Sequence, residues 1–286
     1  MKPLISIIIV SWNVKDLLRL CLRSIFLYYN LDTVEVIVVD NASSDGSVSM
    51  VEQEFPHVRV LAQEINTGFA SANNIGARVA TGEYLLLLNP DTEFFDDSVL
   101  SVVSLFDHNP RIAMVGPRLL NADKTVQPSV RRFPRLSDQL AIALKLHHIF
   151  PSMRCLDRYF SHDMDYQKQQ DVEQIMGACM CIKRPVWEEM HGFDAGYFIW
   201  FEEVDLCRRI VSAGYRIIYS PVCSIIHHGG QSFQQVLGYK KQQWFLASQS
   251  RYMKKFFPWG AVCIHAVLSP LSLIEAWVVQ YAKKRS

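Results

Sequence analysis

The sequence has no surplus of either charge: 29 Lys and Arg stand against 28 Asp and Glu, a formal net charge of +1 over 286 residues. Nothing global therefore draws the chain to nucleic acid, and any recognition of phosphate has to be local. The seven cysteines are odd in number and form no CxxC pair, which argues against a disulfide framework and fits a reduced, cytosolic setting. Cys179 and Cys181, two apart, suit one face of a strand as small buried apolar groups. No G-x-G-x-x-G follows the first apolar run and no P-loop occurs, which speaks against nicotinamide dehydrogenases and P-loop kinases. A secretory leader is not expected either, since Leu4–Val10 is too short for one and runs straight into Ser11-Trp12-Asn13. Internal repeats and low-complexity tracts are missing.

What the chain does have is length and apolar content, half of its residues being hydrophobic. That suffices for one large α/β domain, or a domain with a smaller attachment. The first ninety residues alternate between two periods. Leu4–Val10, Val34–Val39, Val58–Leu61 and Tyr84–Leu88 read as buried strands, and 15–28, about 46–54 and Phe69–Ala80 as helices between them. Such alternation requires right-handed crossovers and a doubly wound, mostly parallel sheet, with ligands bound beyond the carboxyl ends of the strands. The polar clusters fall at those ends: Ser11-Trp12-Asn13, Asp40-Asn41-Ala42-Ser43 and Asn89-Pro90-Asp91-Thr92.

Residues 121–170 break this rhythm and read as an excursion over the site, with Arg131-Arg132-Phe133-Pro134-Arg135 and a helix near 137–149. Order returns with a strand over Met176–Met180, a helix near 185–190 and an aromatic-acidic segment at 197–205 that opens a helix to Ala213. A strand over Arg216–Tyr219 then leads past Pro221 to His227-His228-Gly229-Gly230. The tail, Phe256–Tyr281, is apolar between Lys254-Lys255 and Lys283-Lys284-Arg285. It has the length of a spanning helix, about 20 residues, but His265, Pro270 and Glu275 interrupt it. An interfacial helix pair or shallow re-entrant segment is the expectation, the alternative being a terminal helix packed on the domain.

Three clusters carry chemistry. Asp40 closes a strand and can accept hydrogen bonds from a base or ribose, or it can form an Asx-turn; Asp45, just after it, suits a helix cap. Asp91 comes after four leucines, which cannot tolerate an unpaired carboxylate, so it must sit at the carboxyl edge of the sheet. An oxygen ligand there suits Mg²⁺ or Mn²⁺ shared with substrate phosphates, though Pro-Asp-Thr is also an ordinary turn. Glu202, Glu203 and Asp205 open a helix beneath Tyr197, Phe198, Trp200 and Phe201. Aromatic crowding raises a carboxylate's pKa, as a general base needs, whereas the four-residue spacing of Asp205 and Arg209 suits a structural ion pair. His227, beyond a strand end and shortly before two glycines, has the setting of a metal ligand.

In this order the clusters resemble the family 2 glycosyltransferases of the GT-A fold, most closely their bacterial rhamnosyltransferase-like branch. The resemblance rests on Val38–Ser47, on Asn66-Thr67-Gly68-Phe69-Ala70 with Asn74 and Gly76, and on Leu87–Thr92. It continues through Gly177–Met180, Gly192-Phe193-Asp194, Phe201–Cys207 and His227–Ser232, and covers about residues 4–232. It implies a GT-A domain over 1–250, with a donor half of about 1–120 and an acceptor half of about 121–250, followed by a membrane-associating tail over 251–286. By this resemblance Ser11, Asn13, Asp40, Asn41, Asn66, Gly68, Phe69, Asn74 and Asn89 bind the nucleotide-sugar, and Asp91 and His227 hold Mg²⁺ or Mn²⁺. Asn89 replaces the first Asp of the family's D-x-D element.

Glu203 takes the position of the catalytic base, usually Asp, with Glu202 and Asp205 beside it. Arg131, Arg132, Arg135 and Trp200 are expected to meet the acceptor or its diphosphate, the arginines alternatively the membrane, or else to form a solvated basic loop. The implied reaction is an inverting transfer from a nucleotide-diphosphate sugar to a lipid-linked or saccharide acceptor at the cytoplasmic face of the cell membrane. The resemblance tilts the donor sugar toward rhamnose or a related deoxysugar. No nucleic acid partner is expected. The rivals are a sugar nucleotidyltransferase, which would carry a glycine-rich basic loop after the first strand, and a catalytically degenerate sugar-nucleotide-binding or scaffold protein.

Overall fold

The computed structural model of the protein describes residues 3–146, 150, 153–230 and 235–283. The end of the helix expected near 137–149, Gln231 and Ser232 of the last resemblance block, and the flanking Lys284 and Arg285 lie outside the described residues.

The alternating half folds as its periodicity requires. Strands β1 (Ile5–Ser11), β2 (Val34–Asp40), β3 (Arg59–Ala62) and β4 (Tyr84–Leu88) pair in the parallel order β3-β2-β1-β4. Between them run helices α1 (Lys15–Tyr28), α2 (Ser47–Glu54) and α3 (Phe69–Val79). Every residue of β1 is buried, and its side chains divide by pleat: Ile5, Ile7 and Ile9 enter one core, Ile8 and Val10 the other. Helix α1 buries Leu18, Cys21, Leu22 and Ile25 on one face. Its first N–H, that of Lys15, is capped by Asp45 Oδ2 at 2.8 Å, while Asp45 Oδ1 caps Ser47 of α2. One carboxylate thus starts two helices.

The sheet continues through β11 (Cys179–Lys183), antiparallel to β4, then β6 (Ile112–Leu120) and β12 (Arg216–His227), to β5 (Thr92–Glu93) at the edge. Strand β11 brings the 175–205 segment back beside the end of β4. Strand β12 does not stop before Pro221 as expected. It runs to His227 with a register shift between Ser220 and Ser224, and Pro221, which has no N–H to donate, sits in that irregularity. The excursion contains short strands β7 (Val126–Gln127) and β8 (Val130–Arg131) and helices α5 (Leu136–Ala143) and α6 (Arg154–Tyr159), after α4 (Val99–His108) of the main layer. Strands β9 (Gln170–Asp171) and β10 (Gln174–Ile175) close it, and α7 (Arg184–Glu189) and α8 (Glu202–Ser212) lie in the second half.

The chain ends in a helical hairpin, α9 (Gly238–Phe256) and α10 (Trp259–Lys283). The boundary expected at 250/251 falls inside α9; the break in helical path is at Phe257 and Pro258. The expectation of an interrupted tail is corrected, because α10 is continuous through His265, Pro270 and Glu275. Its polar groups face their partners: His265 meets Gln249 at 2.7 Å, Ser272 accepts from Gln242 at 2.7 Å, and Glu275 pairs with Lys145 at 3.2 Å. These contacts hold α10 helical across Pro270, whose ring leaves the Ala266 carbonyl without its helical donor.

Candidate functional site

At the carboxyl ends of β1 and β2, register pairs Ser11 with Asp40. Asp40 is 2% exposed. Its Oδ1 accepts from Ser43 N at 2.8 Å, the Asx-turn, but its Oδ2 has no partner among the described residues, nor has the buried Ser11 hydroxyl. A buried polar atom without a partner costs about 1–3 kcal/mol, which marks these two oxygens as unmet acceptors, although neither Ser11 nor Asp40 lines the two cavities of the site.

Asn41 is used differently. Its amide donates to Asn66 Oδ1 and Gly68 O and accepts from Thr67 N and Oγ1, locking the loop before α3. Gly68, at φ +84°, lets that loop touch the backbone of Phe198: a Cβ there would lie 2.4 Å from Phe198 O. Asn13, at φ +51°, ties to Ser43 and Ser44. Asn74, expected at the nucleotide-sugar, instead clasps the Gly192-Phe193 turn, donating to Phe193 O and accepting from Phe193 N. It lines neither cavity of the site, because the helical period turns it from the face of α3 that carries Phe69.

The next strand end carries Asn89 and Asp91. Strand β5 pairs Thr92 with His227, and this long-range register sets His227 Nε2 3.3 Å from Asp91 Oδ1 and 3.5 Å from Asn89 Nδ2. Asp91 and His227 are 4% and 6% exposed. The other imidazole nitrogen, Nδ1, lies 2.7 Å from Gln127 Oε1. His228 turns elsewhere, to Glu93 at 2.6 Å. Among the described residues no three His, Cys, Asp or Glu side chains converge. The chain therefore offers a carboxylate and an imidazole, with the amide of Asn89 beside them, and leaves further positions to phosphate and water. That donor set fits Mg²⁺ or Mn²⁺, hard ions that keep water and share substrate oxygens.

The third cluster sits on a constrained loop. Trp200 and Phe201 both have positive φ, 62° and 69°, just before α8. Left-handed backbone at two bulky residues costs of order 1–3 kcal/mol each and persists only where packing enforces it. Helix α9 does so: Ser248 donates to Ile199 O at 2.7 Å, Trp244 packs on Phe198, and Phe245 on Trp200 and Phe201. The loop delivers Glu202 and Glu203 to a cavity of about 440 Å³ that also holds Arg131, Asn89, Gly177 and His227. Each glutamate has one oxygen, Oε2, without a partner among the described residues. Burial raises both pKa values. The Glu203 charge adds to the rise at Glu202, while backbone N–H groups and the Arg131 guanidinium hold Glu203 down.

Of the other expected residues, Trp200 lines this cavity, whereas Asp205 does not. Asp205 is fully buried and engaged by Arg209 at 2.6 Å, by Lys255 and by Tyr197. Its four-residue offset from Arg209 gives the ion pair that the spacing suits, and its carboxylate is engaged away from this cavity. Arg132 pairs with Asp163, and Arg135 starts α5 with Asp138; of the three arginines only Arg131, stacked over Phe160 at 4.8 Å, faces the cavity.

A second cavity, lined by Trp12, Asn41, Asn66, Asp91, Phe198 and Trp244 among others, shares Phe69, Asn89, Ile199 and Gly230 with the first. Phe245, Tyr159 and Gln127 had no signal in the sequence. Trp244 was visible only as a tryptophan in a polar run, because a wall residue is recognised by where its helix docks.

The strand order, with its reversed β11 and its site at the carboxyl ends, defines a nucleotide-diphospho-sugar transferase fold of the GT-A type. The whole chain is similar to 76% of a mannosyltransferase from Pyrobaculum calidifontis, solved with GDP-Man and Mn²⁺, at TM-score 0.59 and 18% identity. It also resembles the S. aureus protein TarS, residues 1–349, solved with UDP, at TM-score 0.56 and 14% identity over 87% of this chain and 65% of that one. At such identities the likeness is one of fold.

Sequence likeness goes further. Residues 6–165 match the profile of Glycosyl transferase family 2, and the chain belongs to that family. It is 28% identical over 264 residues to the rhamnosyltransferase WbbL of Escherichia coli K12, covering 88% of this chain and 93% of that one. It is 27% identical over 210 residues to the N-acetylglucosaminyl-diphospho-decaprenol L-rhamnosyltransferase of Mycobacterium tuberculosis, covering 70% and 68%. The resemblance to the rhamnosyltransferase-like branch is thereby borne out, and the nucleotidyltransferase and scaffold readings are not favoured.

Proposed function

We propose that this glycosyltransferase performs a metal-dependent, inverting transfer of a deoxyhexose such as rhamnose from a nucleotide-diphosphate donor to a lipid-linked or saccharide acceptor at the cytoplasmic membrane surface. One observation carries this reading. The cavity with Asp91 and the cavity with Glu203 share a wall at Asn89, so a sugar bound there faces a cation site on one side and a buried carboxylate on the other.

In this reading Asp40 Oδ2 accepts an N–H of the base, and the Asn41–Asn66 lock holds the loop that shapes the cavity. Asp91 and His227 would hold Mg²⁺ or Mn²⁺, which when bound neutralises charge on the leaving diphosphate. Glu203 removes the acceptor hydroxyl proton as that oxygen attacks the anomeric carbon from the face opposite the leaving group. Arg131 offers a cation to an acceptor's diphosphate.

The membrane part of the proposal rests on α10. Its outer face exposes Ile264, Val267, Leu271, Ile274, Val278 and Tyr281 at alternating spacings of three and four, flanked by Trp259 and Trp277. The stretch Trp259–Val278 has a mean hydropathy of 1.7 and is long enough to cross a bilayer. Its inner face, however, is bonded to α9, which carries Lys240, Lys241, Lys254 and Lys255. Helix α9 is itself packed on the loop before α8 through Trp244, Phe245 and Ser248, so α10 cannot cross without leaving its partner and the hairpin suits the interface plane.

The test is Asp91→Asn, which preserves volume. It should abolish transfer and the Mn²⁺-dependent part of nucleotide binding, with the thermal transition of the unliganded protein little changed. Metal-stimulated transfer by that variant would refute the cation assignment.

A further inference from the structure

The imidazole of His227 is met at Nδ1 by a side chain a hundred positions away in the chain. Gln127, on β7, is held so that only its carbonyl oxygen can face the imidazole. Its amide nitrogen lies 3.3 Å from His227 O and 3.0 Å from Asn121 Oδ1. A backbone carbonyl only accepts, so the group facing it must be the NH₂, and the amide cannot be turned around.

The Asn121 end is fixed in the same way. Asn121 Nδ2 donates to Thr125 Oγ1 at 2.9 Å, and Thr125 Oγ1 in turn donates to Asp123 Oδ1 at 2.6 Å. The Thr125 hydroxyl and amide hold the Asp123 carboxyl below its usual range, so it too only accepts. From carboxylate and carbonyl at the two ends, every donor in the relay is determined. Gln127 Oε1, 2.7 Å from His227 Nδ1, is left as an acceptor and calls for a proton on Nδ1.

In the neutral ring that leaves Nε2 as a lone pair, 3.3 Å from an Asp91 oxygen and with the Asn89 amide at 3.5 Å as its nearest donor. Two acceptors facing each other repel, and a cation between them relieves this. The opposite tautomer would close the pair as an ordinary hydrogen bond from Nε2–H to Asp91 and occupy both ligand atoms.

We infer that Gln127, oriented by Asn121, is a positioning residue that sets the tautomer of His227 and so keeps the Asp91–His227 pair open for a divalent cation. This rests on the cation role proposed above for those two side chains, and its test separates the two ideas.

The direct readout needs no metal. Long-range ¹⁵N–¹H correlation spectra of the imidazoles, taken at about pH 8 where histidine is neutral, should report the Nδ1–H form for His227, with His227→Asn assigning the signals. Gln127→Leu removes the acceptor and should switch the ring to Nε2–H, whereas Gln127→Glu, which gives up the donor to His227 O and Asn121 but keeps an acceptor for Nδ1, should keep Nδ1–H. In parallel, Mn²⁺ titrations with a nucleoside diphosphate present should show affinity falling about 10–100-fold in Gln127→Leu, recovering in Gln127→Glu, with metal-free nucleotide binding unchanged. A purely structural role would move thermal stability and leave both readouts alone.

His227 in the Nε2–H form in the native protein, or one tautomer throughout, would overturn the inference. Unchanged Mn²⁺ affinity in Gln127→Leu beside its loss in Asp91→Asn would also overturn it, while the cation role stood. Mn²⁺ binding that survives Asp91→Asn would remove the cation role and the function of Gln127 with it. Should Gln127→Leu not fold, Gln127→Ala, which removes the same acceptor without adding apolar bulk, carries the same two readouts.

Discussion

The strand ends of the first half and the loop before α8 solve opposite problems. At the ends of β1 and β2, polar side chains are largely committed to one another: Asn41 to the 66–68 loop, Asn13 to Ser43 and Ser44, Asp45 to two helix starts. Among the described residues, the buried side-chain atoms left over there are Asp40 Oδ2 and the Ser11 hydroxyl. Before α8 the chain instead holds two positive-φ aromatic residues and two glutamates with unpartnered oxygens, and a distant helix supplies the restraint. The first arrangement is rigid by local hydrogen bonding. The second stores strain and raised pKa values in a cavity, which is what acid–base chemistry needs and what local bonding would extinguish.

The largest effect that would sharpen this contrast is at Glu203. Glu203→Gln keeps shape but cannot take a proton, so turnover should fall about 10²–10⁴-fold with donor affinity unchanged, as measured by kcat and by nucleotide titration. Near-normal turnover would move the base elsewhere.

Removing α10 by ending the chain at Phe257 should abolish binding to vesicles carrying anionic lipid, scored by co-sedimentation. It should also lower Tm, since Gln249 and Met253 on α9 lose their cover. Unchanged vesicle binding would make α10 a packing helix only.

A smaller effect comes from Arg131, whose charge holds the Glu203 pKa down against burial. In Arg131→Gln that pKa should rise further. The base must be ionised, so the acidic limb of kcat/KM should move to higher pH; a limb that stays in place would separate Arg131 from Glu203.

The smallest is at Glu202, whose folded pKa is raised by burial and by the Glu203 charge. Its contribution to stability is full below its unfolded pKa, about 4.3, and is lost as pH rises through the raised folded value. Glu202→Gln cannot ionise, so its Tm should gain on the native protein as pH rises, with only a mild change in turnover.

The sequence alone determined the strands of the first half, the polar groups at their ends and the pair Glu202-Glu203. A strand buried on both faces has to be an unbroken apolar run, and the residues that end it have to be polar and at the sheet edge. Asp45 as the cap of α2 and Asp205 with Arg209 were legible because those partners lie within a turn, whereas the bond of Asp45 to Lys15, thirty residues away, was not.

What only tertiary structure decided is whatever spans the fold. Strand β5 lays Thr92 against His227, Gln127 reaches across to set the ring, and α9 clamps the Trp200-Phe201 turn. The same long-range pairing satisfies His265 and Glu275 and keeps α10 whole where local pattern pointed to a break. Periodicity records which face of an element is covered; it carries no record of which distant element covers it, because that choice is made by the summed packing of the whole sheet.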